Sequence, residues 1–252
     1  MRLRPPKPRK AMKAESLTPL ENELLTEHFP TREGFAEALS RLAEGEPLAY
    51  VIGEWYFYGE TYSLNPDCLI PRPDTEHLVD ALIALVPKNG RFADLCTGSG
   101  CIAISTLVHR PDLRADAVDL SEGALGAAKK NAVRNGVEDR VSIRRADVLR
   151  GEGLSGLYDV IVSNPPYIRT DVIPTLDTVR REPVRALDGG EDGLDFYRAI
   201  LEKYEKHLAP GGRFVFEIGY DQADDLRALC PGCEVRKDYG GNDRVVITKP
   251  KE

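Results

Sequence analysis

The chain has 252 residues, 42% of them apolar and 30% charged, the balance of a soluble globular protein with room for one full core and a smaller appendage. No apolar run is long enough to span a bilayer, and a net charge of −7 argues against gripping long nucleic acid through phosphate neutralisation alone. Five cysteines, an odd number, form no disulfide scaffold and point to a reducing cytoplasm.

The chain begins with "MRLRPPKPRK", which is basic and proline-rich and has no apolar h-region. It reads as a solvated tail, with contact to an RNA-containing partner as the other reading. From Leu17 to Glu46 the apolar residues keep helical spacing, with Leu20, Leu24, Leu25, Phe35, Leu39 and Leu42 available for one face. "GEWYFYGETYSLN" (Gly53 to Asn65) then switches to aromatic and β-branched residues and predicts a hairpin around Gly59-Glu60. Pro71 and Pro73 hold an extended segment, after which Asp74 or Thr75 is placed to cap a helix with Leu78, Leu82 and Leu85 on one face. These boundaries divide the chain into a helical region over 1–50, a hairpin linker over 51–73 and a main domain over 74–252.

Strands and helices alternate from there. Strands are predicted at Arg91–Leu95, Ala115–Leu120, Val141–Ala146, Tyr158–Ser163 and Arg213–Ile218. Helices are predicted at Cys101–His109, Ser121–Asn135, Leu194–Leu208 and Gln222–Leu229, and two last strands flank the turn Gly240 to Asn242. This order implies an α/β fold of the doubly wound, Rossmann-like class, mainly parallel, with a C-terminal antiparallel hairpin and a small helical N-terminal domain.

Two strand ends carry chemistry. "ADLCTGSGCIA" sets a glycine turn between a strand and a helix, which lets backbone N–H groups approach a nucleotide-like ligand. Gly98, Gly100 and Ala103 also satisfy G-x-G-x-x-A with Asp119 as a ribose acid, so a dinucleotide dehydrogenase competes at this point. Acids at three successive strand ends favour S-adenosyl-L-methionine: Asp94 for the methionine end, Asp119 for the ribose, Asp147 for the adenine amino group. The second strand end is "SNPPY". The side-chain oxygen of Asn164 and the backbone oxygen of Pro165 can accept both hydrogens of a planar –NH₂ group, Pro165 and Pro166 fix the backbone, and Tyr167 can stack on the group. The nitrogen then faces an electrophilic methyl carbon, and its proton leaves after transfer. Other motifs are set aside: "CPGC" lacks a second ligand pair for zinc, "DGGEDG" puts Gly190 where a calcium loop needs a ligand, and no histidine falls in HExxH.

"NPPY" together with "DLCTGSG" resembles the amino methyltransferases. "LIPRPDTEHLVD", "EPVRALDGGEDGLDFYRAI" and "DYGGNDRVV" narrow the likeness to the HemK/PrmC family of protein-(glutamine-N5) methyltransferases, over Pro47 to Val246. The resemblance implies methylation of the glutamine in the Gly-Gly-Gln motif of class I peptide chain release factors; a sister branch acts on a glutamine of ribosomal protein L3. It assigns Thr97, Gly98, Ser99 and Gly100 to the cofactor turn, Asp119 to the ribose, Asp147 and Val148 to the adenine, and Asn164 to Tyr167 to the glutamine amide, with Arg72 near the substrate. It implies a cytoplasmic monomer with a protein substrate, no membrane, no direct nucleic-acid substrate and no metal. The residues alone leave adenine N6-methylation and a non-catalytic binding module as alternatives. Two departures stand out: Cys96 replaces the usual glycine of "DLGTGSG" and requires a backbone that tolerates a side chain, and the substrate-engaging N-terminal region is short and poorly matched.

Overall fold

A computed structural model describes residues 17–176 and 181–252 of the chain. The basic decapeptide at the start lies outside the described residues.

Three helices come first: α1 (Pro19–His28), α2 (Arg32–Ala43) and α3 (Leu48–Ile52). Thr18 opens α1 with a reciprocal capping box, its hydroxyl accepting from the Glu21 N–H while the Glu21 carboxylate takes the Thr18 N–H. Their packing centres on Leu25, Ala38 and Val51, with Phe35, Leu39 and Leu42 around them. Leu20 departs from the expected apolar face and is 60% exposed: five residues before Leu25, it points to another side of the helix, about 140° away.

Strands β1 (Glu54–Phe57) and β2 (Glu60–Ser63) pair antiparallel with Phe57 opposite Glu60, so the turn sits at Tyr58-Gly59, one residue earlier than expected. Tyr58 takes φ +52°, a conformation that costs a bulky residue energy. It is held by its N–H donating to Glu76 at 2.9 Å and its phenol donating to Asp80 at 2.6 Å.

The main sheet has seven strands: β3 (Arg91–Leu95), β4 (Arg114–Asp119), β5 (Val141–Arg145), β6 (Tyr158–Ser163), β7 (Leu208–Glu217), β8 (Glu234–Lys237) and β9 (Asp243–Ile247), in the order β5-β4-β3-β6-β7-β9-β8. Strands β3 to β7 run parallel, and β9 lies antiparallel between β7 and β8. Helices α4 (Glu76–Leu85) and α5 (Cys101–His109) bury Leu78, Leu82, Ile104 and Leu107 on one face. On the other face, α7 (Asp195–Tyr204) and α8 (Ala223–Leu229) bury Tyr197, Ile200 and Leu226 against Phe214 and Phe216. Each such side chain contributes roughly 1.5–3 kcal/mol of transfer free energy. Helix α6 (Glu122–Arg134) follows β4.

Two boundaries differ from the periodicity. The predicted helix to Leu208 ends as α-helix at Tyr204, whose phenol donates to the Glu152 carbonyl, and Glu205–His207 tighten into a 3₁₀ turn. The segment "PGG", which precedes the predicted strand start at Arg213, is part of β7, which already pairs at Leu208 with Tyr158 and absorbs the extra residues as a register shift.

Strand order reverses between β3 and β6. This is the switch point beyond which open α/β sheets bind ligands. Leu95 and Ser163 are register partners there, tied by the Ser163 hydroxyl donating to the Leu95 carbonyl at 2.7 Å. The residues that follow each strand, Cys96 to Gly100 and Asn164 to Tyr167, therefore leave the sheet side by side.

Candidate active site

The cleft above this switch point opens to solvent and has an interior of about 180 Å³. Of the residues expected from sequence, Thr97, Gly98, Ser99, Asp119, Asp147, Val148, Asn164, Pro166 and Arg72 form its wall. Asp94, Gly100, Pro165 and Tyr167 stand behind the wall and support it.

The glycine turn is held from below and from the side. Asp94 is fully buried at the end of β3 and accepts the Thr97 hydroxyl at 2.6 Å; its other oxygen has no partner among the described residues. Burial pushes its carboxyl up to about 7, with the Thr97 hydrogen bond acting against that rise. Gly100 starts α5 with φ +82°, and a Cβ there would come within 2.8 Å of Ile104 Cδ1 and 3.2 Å of Ala128, so only glycine lets the helix seat against α6. At the end of β4, Asp119 accepts the Gly98 N–H at 2.8 Å and the Ser121 N–H at 2.9 Å. Burial raises its pKa as well.

Cys96 takes φ +60°, the left-handed conformation that favours glycine, so the backbone here makes no allowance for the side chain. The expectation of a tolerant conformation is corrected: the residue is strained. Burial drives its thiol well above the ordinary value and raises that of Cys101 to about 12. All five cysteines are unpaired.

Asp147 begins a single 3₁₀ turn, accepting the Leu149 N–H at 3.0 Å and lying 3.2 Å from Arg150 Nε. Leu120 and Leu149, 45% and 42% exposed, line the cleft with buried Val148, leaving an apolar slot suited to a planar base. The Asp119 carboxylate, the close backbone of the glycine turn and this slot together fit S-adenosyl-L-methionine.

On the other side of the cleft, the Asn164 amide donates through Nδ2 to the Thr75 hydroxyl at 3.2 Å, which leaves Oδ1 free to accept. Thr75 is the last residue of a 3₁₀ turn before α4, and neither its hydroxyl nor the Asp74 carboxylate caps that helix. Asp74 instead lies 3.3 Å from Arg244. The Tyr167 phenol donates to Glu217 at 3.5 Å, and the Tyr167 carbonyl accepts from Gln222 Nε2 at 3.2 Å. "DGGEDG" is a loop, as expected, and it clamps this segment. Gly189 lies so near that a Cβ would meet the Tyr167 Cα at 2.7 Å, and its N–H donates to the Ile168 carbonyl. Arg72 pairs with Glu182, whose other oxygen takes the Ile70 N–H at 3.1 Å, so its guanidinium is fixed at the cleft edge.

Sequence reasoning missed Thr75, Glu182, Glu217 and Arg244. Each belongs to a stretch already noted, but only the fold brings residues 75, 217 and 244 to the back of Asn164. Among the described residues no cluster of His, Cys, Asp and Glu could hold a metal ion, and no helix is long and apolar enough to cross a membrane.

Comparison with known proteins agrees with this geometry. The family described as Methyltransferase small domain matches residues 73–181. The release factor glutamine methyltransferase of Agrobacterium fabrum is 41% identical over 224 residues, covering 84% of this chain and 77% of that protein. Its counterpart in Caulobacter vibrioides is 38% identical over 244 residues, 93% and 83% of the two chains. Among solved structures, a methyltransferase from Pyrococcus furiosus superposes with TM-score 0.54 at 20% identity, covering 74% of this chain and 86% of that one. The hMettl16 catalytic domain, solved with an RNA hairpin, superposes with TM-score 0.58 at 16% identity, covering 87% and 83%. At that identity the structural likeness establishes the fold, a Rossmann-like methyltransferase sheet. The extent of the sequence identity settles the rest: the chain belongs to the release factor glutamine methyltransferase family.

Proposed function

We propose that this enzyme transfers a methyl group from S-adenosyl-L-methionine to the side-chain amide nitrogen of the glutamine in the Gly-Gly-Gln motif of class I release factors. The observation that carries the reading is the placement of Asn164. Its Nδ2 is committed to Thr75 while its side chain faces the same cleft as the glycine turn, so Oδ1 is the end presented to a substrate.

The cofactor supplies a sulfonium-activated methyl group. Asp119 and the Thr97-to-Gly100 turn, whose backbone the ligand can approach closely, bind and orient it, and Val148 with Leu120 excludes water from the base. Asn164 Oδ1 and the Pro165 carbonyl accept the two hydrogens of the glutamine –NH₂, holding its plane so that the nitrogen lone pair points along the transfer line. Pro165 and Pro166, which have no N–H to offer, keep those oxygens in place, and Tyr167 backs the amide plane. Accepting both hydrogens also polarises the nitrogen, and its proton leaves once the new N–C bond has made it acidic. Arg72, fixed by Glu182, offers donors at the rim for substrate backbone carbonyls.

Labelled methyl transfer to purified release factor, to ribosomal protein and to RNA tests the reading in one experiment. Label in the release factor, lost when its Gly-Gly-Gln glutamine is replaced by alanine, is the expected outcome. Label in ribosomal protein or RNA with none in release factor overturns it.

A further inference from the structure

Behind Asn164 lies a buried arrangement that the transfer step leaves unused. Thr75 and Glu217 are each 2% exposed. The Thr75 hydroxyl adjoins the Glu217 carboxyl, and Glu217 accepts the Tyr167 phenol on Oε1 while its Oε2 has no hydrogen-bond partner among the described residues. Arg244 of β9 is the neighbouring cation, anchored on Asp238 at 3.1 Å and on Asp74 at 3.3 Å. Asp238 is itself shaped by the hairpin turn, taking the Asn242 N–H at 2.9 Å while its own N–H donates to the Asn242 carbonyl at 2.8 Å. The motif "DYGGNDR" thus reaches the catalytic segment through Arg244 and Glu217.

An asparagine amide can present either its oxygen or its NH₂ to a substrate, and only the oxygen serves an incoming –NH₂ group. A hydroxyl has one hydrogen to give, and an ionised carboxylate can only accept. When Glu217 is ionised it draws the Thr75 hydrogen, so Thr75 can only accept from Asn164 and the amide is locked with Oδ1 toward the cleft. A neutral side chain at 217 can also donate to Thr75, which leaves the Thr75 hydrogen free to turn to Asn164, and the amide orientation is no longer fixed.

We propose that Glu217 is a positioning residue for methyl transfer, orienting the Asn164 amide through Thr75 and steadying Tyr167, with Arg244 of the C-terminal hairpin as its counter-charge. The inference rests on the glutamine-amide reading given above. Burial pushes the Glu217 carboxyl up to about 7, opposed by Thr75, Arg244 and Tyr167 and reinforced by Asp74. Cys101 and Tyr197 are the other titratable groups facing it, and burial holds both neutral. The switch between oriented and loose amide therefore falls near pH 7.

The test measures single-turnover rates on release factor between pH 6 and 9, KM for release factor and S-adenosylhomocysteine affinity, for the wild type and three variants. Thr75→Val, which keeps the shape and removes the hydroxyl, is expected to lower the rate at least tenfold while KM and affinity stay within twofold. Thr75→Ser is expected to restore the rate to within threefold of wild type. The wild-type rate is expected to fall as pH drops through about 7, and Glu217→Gln to be slow and to lack that acid limb. A Thr75→Val enzyme within twofold of wild type, a serine variant as slow as the valine one, or an acid limb that persists in Glu217→Gln would overturn the proposal. A wild type that binds S-adenosylhomocysteine but methylates no glutamine overturns the functional reading and this inference with it; normal wild-type turnover with unaffected variants overturns the inference alone.

Discussion

Asp119 accepts the N–H of Gly98 at 2.8 Å, so the acid that ends β4 and the turn that follows β3 form one unit. Removing the carboxylate frees the turn and, on the proposed reading, also takes the ribose acceptor away. Asp119→Ala is expected to weaken S-adenosylhomocysteine binding at least tenfold, about 1.4 kcal/mol or more, by titration calorimetry. Asp119→Asn, able to accept through one oxygen only, is expected to lie between.

Asn164 is placed for the transfer step and makes no contact that the cofactor turn depends on. Asn164→Ala is expected to reduce the single-turnover rate by a hundredfold or more, about 2.7 kcal/mol of transition-state stabilisation, with cofactor affinity within threefold of wild type. Affinity lost with normal chemistry would refute this role.

At Cys96 the backbone strain can be measured apart from the thiol. Both Cys96→Ala and Cys96→Gly remove the sulfur, but only glycine relieves φ +60°. The glycine variant is expected to be more stable than the alanine variant by about 1 kcal/mol in urea denaturation.

Asp94 and Glu217 are each pushed up to about 7 by burial, and unfolding returns them to ordinary carboxylate values. Between roughly pH 4 and 7 the folded state therefore holds protons that the unfolded chain releases, so this contribution to stability declines as pH rises through that window. Glu217→Gln removes one such group. Its stability relative to wild type is expected to be greater at pH 8 than at pH 5, by on the order of 1–3 kcal/mol, in denaturant titrations at the two pH values. The same substitution is expected to slow turnover, which separates loss of function from loss of fold.

The alternation of β-branched runs with helical spacing made the sheet legible, because strands buried on both faces leave a continuous apolar signature. The cleft wall was legible for the same reason: Gly98, Asp119 and Asp147 are local to strand ends. Thr75, Glu217 and Arg244 were not. Each looked like a cap or a strand residue, since the relation that matters spans 142 and 27 positions of sequence and depends on β9 lying beside β7. Leu20 failed differently: it lies about 140° around the helix from Leu25, so the two leucines do not share one face.

Asn131 on α6 accepts the Ser63 N–H at 2.7 Å and donates through Nδ2 to the carbonyls of Ser63 and Ser99. One buried amide thus rivets the end of the hairpin to the glycine turn. Glu54, directly across the hairpin from Ser63, joins His28 of the first helix to Arg134 of α6. The open end of the hairpin is consequently a fixed joint that holds the N-terminal helices and the glycine turn at a set spacing.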